Sequence, residues 1–81
     1  MSVEDIKNMV RELAAMLVDE PDKIEISEEQ RDRAIIVVIS VAEDDVGKII
    51  GKNGQTAKAL RAMVNAASAR KGKKVLLEIR E

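Results

Sequence analysis

The sequence predicts an α+β fold in the order α-β-β-α-α-β, and three observations carry that prediction. Apolar residues recur at helical spacing over 3–18, 43–50 and 55–70, whereas 23–27 alternates, 34–41 is a near-continuous β-branched run and 74–80 is a final strand. The last two helical segments are separated only by Gly51-Lys52-Asn53-Gly54, a tight turn of two glycines bracketing two polar residues over 51–54. The first two strands are joined by a short polar stretch, which makes them an antiparallel hairpin. At 81 residues there is room for one domain, 1–81. A domain of that size buries only about 60–65% of its unfolded surface, so its stability is modest.

Each element has a local cause. Ser2 with Asp5 three residues on is an N-cap and a variant of the capping box. Ile6, Met9, Val10, Leu13, Met16 and Leu17 form one apolar stripe of core spacing. Pro21 ends that helix by Val18 or Asp19, because the residue before a proline leaves helical geometry. Lys23-Ile24-Glu25-Ile26-Ser27 reads as a half-buried strand, Glu28 to Arg33 as a polar connector, and Ala34 to Val41 as the central strand. Glu43-Asp44-Asp45 places acids where the dipole of the next helix favours them. Gly47, inside that short helix, costs about 1 kcal/mol relative to Ala, which a close helix contact or a close ligand would explain. Beyond the turn, Ala57, Leu60, Val64 and Ala67 form a core stripe, and Ala59, Ala62, Met63 and Ala66 a second apolar strip. Lys73 to Arg80 form the last strand.

Net charge is −1, but the signs are sorted along the chain. Residues 46–77 hold eight basic residues (Lys48, Lys52, Lys58, Arg61, Arg70, Lys71, Lys73 and Lys74) and no acid, and the remainder holds six basic and fifteen acidic residues. A basic face on an acidic body attracts a polyanion whatever the total charge. The run Arg70 to Lys74 also reads as an ordinary solvated turn between helix and strand. Without Cys there is no disulfide, thiolate or Cys-based metal site, and without His the commonest metal ligand and neutral-pH general base are missing. Neither G-x-x-x-x-G-K-[ST] nor G-x-G-x-x-G occurs, and the paired acids sit in a loop and at a helix start instead of converging. No enzyme, metal or cofactor is expected. No apolar stretch reaches 18 residues and no signal-like N-terminus exists, so a cytoplasmic protein without a membrane partner is expected.

The turn itself suits a phosphodiester backbone. Glycine removes the Cβ that would hold a ligand away, and the amides opening the next helix add donors at a positive dipole end. The run Ile49-Ile50-Gly51-Lys52-Asn53-Gly54 resembles the K-homology (KH) signature, Ile-Ile-Gly-x-x-Gly between two short helices. In that family the loop clamps the backbone of about four nucleotides of single-stranded RNA or DNA. Over nearly the whole chain the order of elements resembles the type II KH domain. Within it the chain is most similar to the small bacterial KhpA family, through Pro21-Asp22-Lys23, Asp45-Val46-Gly47-Lys48 and Gly72-Lys73-Lys74-Val75. The resemblance implies a three-stranded mixed sheet with the helices on one face, 34–41 parallel to 74–80 and antiparallel to 23–27. Ala57 departs from the family pattern, which usually has a larger aliphatic there, and this predicts a shallower groove beside the loop.

The resemblance also implies a function, single-stranded RNA binding by a post-transcriptional regulator or RNA chaperone that works with a larger KH-domain partner. Gly51 and Gly54 would admit the backbone, Lys52 supply charge and Asn53 a short polar contact. Lys48, Gln55 and Lys58 flank the loop, and Arg61 lies about one turn beyond Lys58. Val46, Gly47, Ile49 and Ile50 are candidates for the groove, though at least one of the apolar three must be core. Neutralising about four phosphates predicts a slope of log K against log salt of roughly −3. Base stacking on aromatic residues is excluded, since the chain has none. The alternative is an interaction module in which RNA contact is secondary. The KhpA family is associated with homodimers and with a larger partner, KhpB or Jag, and Ala59, Ala62, Met63 and Ala66 are the candidate dimer face.

Overall fold

A computed structural model describes residues 2–68 and 74–80. The end of the helix expected to reach residue 70, together with Arg70, Lys71, Gly72 and Lys73, lies outside the described residues. The first helix, α1 (Val3–Ala15), opens on the expected capping box: Ser2 Oγ accepts the Asp5 amide at 3.1 Å and Asp5 Oδ2 accepts the Ser2 amide at 3.2 Å. It ends three residues earlier than its apolar stripe suggests. The Leu17 and Val18 amides close on Ala14, and those of Asp19 and Glu20 turn to the side chain of Asp45. With the helix finished at Ala15, Met16 is 74% exposed and Leu17 also reaches solvent, while Val18 enters the core in their place.

Pro21–Lys23 forms a single 3-10 turn with proline at its first position, which pushes the first strand along the chain. That strand, β1, runs Glu25–Gln30 and not over 23–27. It pairs antiparallel with β2 (Ala34–Ser40), from Glu25 opposite Ser40 to Gln30 opposite Ile35, and the Arg31 amide donates to the Ala34 carbonyl at 2.8 Å to close the hairpin. The polar stretch after Ile26 is therefore mostly strand. It is an edge strand, where charge is tolerated and discourages pairing with another chain, and two of its acids have partners: Glu28 with Lys7 of α1, Glu29 with Arg31 and Arg80. The last strand, β3 (Lys74–Arg80), runs parallel to β2, so the sheet order is β1-β2-β3 and the sheet is mixed.

After β2 come a 3-10 turn at Glu43–Asp45, the short helix α2 (Val46–Ile50), the glycine turn and the long helix α3 (Gln55–Ser68). All three helices lie on the face of the sheet that carries Ile35, Val37, Ile39, Val75 and Leu77, and bury Ile6, Val10, Ala14, Ile49, Leu60 and Val64 against it. Burying one such aliphatic side chain contributes about 1.5–3 kcal/mol. On the opposite face Arg80 joins Glu78 at 2.9 Å and Glu29 at 3.4 Å, a charge network spanning β3 and β1. No helix among the described residues is long and apolar enough to cross a membrane.

Candidate nucleic-acid interface

The turn between α2 and α3 is built from left-handed backbone. Gly51 sits at φ 77°, ψ 174°, Asn53 at φ 57°, ψ 26°, and Gly54 at φ 73°. The first of these conformations is essentially restricted to glycine, and the second suits asparagine among the residues with a side chain. The Gly51 amide caps α2 on the Gly47 carbonyl at 2.8 Å, the Gly54 amide returns to Gly51 at 3.1 Å, and the Gln55 amide donates to Lys52. A Cβ on Gly51 would collide with the side chain of Thr56, whereas one on Gly54 or Gly47 would meet nothing within 4 Å. Gly51 is thus held by packing and by φ, Gly54 by φ alone, and Gly47 by neither. Of the two reasons for Gly47, a close helix contact is absent among the described residues.

The expected site residues separate into three groups. Lys52, Asn53, Gln55, Lys58 and Arg61 are exposed around the turn and along α3, with Gly51 and Gly54 half-buried between them. Lys52, Lys58 and Arg61 have no acidic partner among the described residues, in contrast to Lys7, Lys23, Arg31, Lys48 and Arg80, which are all paired. The groove residues divide as well. Ile49 is fully buried core and Val46 packs against that core, while Ile50, 40% exposed, and Gly47 face outward beside the turn. Ala57 is buried. Ala59, Ala62, Met63 and Ala66 are all exposed.

Lys48 stands apart from the other cations. Its Nζ lies 3.1 Å from Asp45 Oδ1 and 3.2 Å from Asp19 Oδ2, and hydrogen bonding to Asp45 and then Asp19 raises its pKa above the ordinary lysine value. Burial alone would raise the pKa of Asp45. The Asp19 amide, the Lys48 ammonium and the Glu20 amide together outweigh it, and the carboxyl titrates below its ordinary value. In sequence Asp45 reads as one of three helix-start acids. The available signal was its spacing of three from Lys48, which puts opposite charges on one side of a helical turn.

A family model described as "KhpA/KhpB, KH domain" matches residues 7–79. The chain is 40% identical over 74 residues to the "RNA-binding protein KhpA" of Clostridium acetobutylicum, covering 91% of this chain and 99% of that one. It is 40% identical over 79 residues to the protein of the same name from Bacillus subtilis, covering 98% of each. Among solved structures it superposes with a TM-score of 0.60 on Era in complex with MgGDPNP and nucleotides 1506–1542 of 16S ribosomal RNA, at 28% identity and over 93% of this chain. It spans only 29% of that Era chain.

Proposed function

This chain belongs to the KhpA/KhpB family of KH domains, and from that membership we propose that it binds single-stranded RNA through the Gly51–Gly54 turn. The curated relatives are RNA-binding proteins, and the family is an RNA-binding one and not an enzyme family. One observation carries the assignment of the site: three cations without acidic partners among the described residues, Lys52, Lys58 and Arg61, surround a turn of left-handed backbone that is open beside Gly54. The sugar-phosphate backbone lies along the turn and the start of α3. Asn53 and Gln55 supply polar contacts, and Ile50 with Gly47 gives the bases an aliphatic surface in place of aromatic stacking. Recognition of this kind is tolerant of sequence. It suits a post-transcriptional regulator or RNA chaperone that works beside a larger KH-domain partner, since linked domains raise the effective concentration of each.

With Lys48 committed to Asp19 and Asp45, three cations remain, and the slope of log K against log salt for single-stranded RNA falls to about −2 in place of −3. A titration of a labelled RNA pool at several salt concentrations tests this, and a flat response would contradict it. A second reading attaches to α3. Its uncharged strip of Ala59, Ala62, Met63 and Ala66 is exposed, with Met63 at 43%, and small residues at that spacing admit a second helix closely. At about 100° per residue the centre of that strip lies on the order of a third of a turn from the line of Lys58 and Arg61. A homodimer or a KhpB-type partner could therefore cover the strip and leave the cations reachable. A strict monomer in solution at high concentration would count against the homodimer.

A further inference from the structure

Asp45 is 1% exposed, immediately ahead of α2, and belongs neither to the turn nor to the exposed cations. Its carboxylate is shared by three donors. Oδ1 accepts from the Asp19 amide at 3.2 Å and from Lys48 Nζ at 3.1 Å, and Oδ2 accepts from the Glu20 amide at 3.0 Å. Lys48 Nζ also reaches Asp19 Oδ2 at 3.2 Å. One buried group thus ties the linker between α1 and β1 to the first turn of α2, and α2 ends at Gly51, whose amide closes on Gly47.

We propose that Asp45 is the positioning residue of the RNA-binding turn, fixing α2 and therefore Gly51 against the linker, and that it keeps Lys48 in this clamp and out of contact with phosphate. The inference rests on the reading of the turn as the RNA site. A five-residue helix does not stand by itself, so tertiary bonds must set its direction. Val46 and Ile49 anchor one side of it, and the Asp45 carboxylate anchors its start. The electrostatics place Lys48 in the same unit. Its single positive charge faces two carboxylates, so a phosphate arriving there would meet net negative charge, in contrast to the surroundings of Lys52, Lys58 and Arg61.

The test uses the full chain and the variants Asp45→Asn, Lys48→Met and the double loop variant Lys52→Asp, Asn53→Asp. Two readouts are taken: the amide resonances of Gly51, Asn53 and Gly54 in the free protein, and the affinity for a labelled single-stranded RNA pool across salt concentrations. Asp45→Asn is expected to fold with a lower Tm, to shift the turn amides, and to weaken RNA binding about tenfold with a salt slope no shallower than the parent's, since no phosphate contact is lost. Lys48→Met is expected to shift the same amides and to leave the slope unchanged. Unmoved turn amides in Asp45→Asn would overturn the proposal. So would a slope shallower by about 0.7 in Lys48→Met, because that makes Lys48 a phosphate ligand in the parent protein. If Asp45→Asn does not fold, Lys48→Met decides alone, shifted amides with an unchanged slope supporting the clamp and unmoved amides overturning it. Absence of RNA binding by the parent protein, or undiminished binding by the double loop variant, strikes the RNA site itself and leaves the amide result to judge the clamp.

Discussion

Gly51 holds φ 77° with the Thr56 side chain against the place a Cβ would occupy, whereas Gly54 holds φ 73° beside open space. Gly54→Ala therefore carries only the left-handed penalty, about 1–2 kcal/mol. Gly51→Ala carries that and an overlap besides, a further cost of about 1–3 kcal/mol. Urea denaturation of the two variants is expected to rank them in that order, and equal stabilities would contradict the packing role of Thr56. Asp45 gives a prediction in pH. Its pKa is lowered in the folded state, so its contribution to stability is present above the ordinary aspartate value and is lost as pH falls through the lowered one. The gap in Tm between the parent and Asp45→Asn is expected to be widest near neutrality and to close below about pH 4. The glycine pair was legible in sequence because glycine announces its backbone. Asp45 was not, because two of its three donors are amides at positions 19 and 20, and no local pattern marks an acid that waits for a distant backbone.

Helix α3 was the most legible element, its inward positions Ala57, Leu60 and Val64 following helical period and all buried. Its outward cations supply a direct prediction. Lys58→Ala and Arg61→Ala touch no partner among the described residues, so each should leave Tm nearly unchanged and make the salt slope shallower by about 0.7. A large loss of stability in either would mean that the residue is structural. The hairpin was legible in pairing, while its first strand lies two to three residues further along the chain than the alternation indicates. Alternation at Lys23-Ile24-Glu25-Ile26-Ser27 looks like a strand, but proline at position 21 starts a 3-10 turn, and the strand continues instead through Glu28, Glu29 and Gln30. An edge strand satisfied by ion pairs with α1 and β3 carries little hydrophobic signal. The end of α1 failed for a related reason, since its last apolar residues keep helical spacing while the amides that follow are taken by Asp45.

The chain as a folded unit sets a small aliphatic core beneath an unevenly charged surface. Fully buried side chains such as Ile6 and Ile39 have no aromatic neighbours to compensate their loss. Truncating Ile39 to Ala in the central strand is expected to cost about 2–5 kcal/mol, a large share of the 5–15 kcal/mol typical of a domain, and a broadened, early thermal transition is the expected sign. The charge sorting visible in sequence survives folding in a reduced form. Of the five described cations in the basic segment, Lys48 is neutralised by the linker and by Asp45, Lys52, Lys58 and Arg61 have no acidic partner around the turn, and Lys74 lies away from it at the start of β3. Charge count alone could not separate them, because pairing is a property of the assembled structure. The proposal that RNA is held at this turn is tested by titrating a labelled single-stranded RNA pool against the parent protein and the Lys52→Asp, Asn53→Asp variant, with circular dichroism confirming that both are folded. Binding that weakens with salt in the parent and collapses in the variant is the predicted result, and equal binding by the two proteins would contradict it.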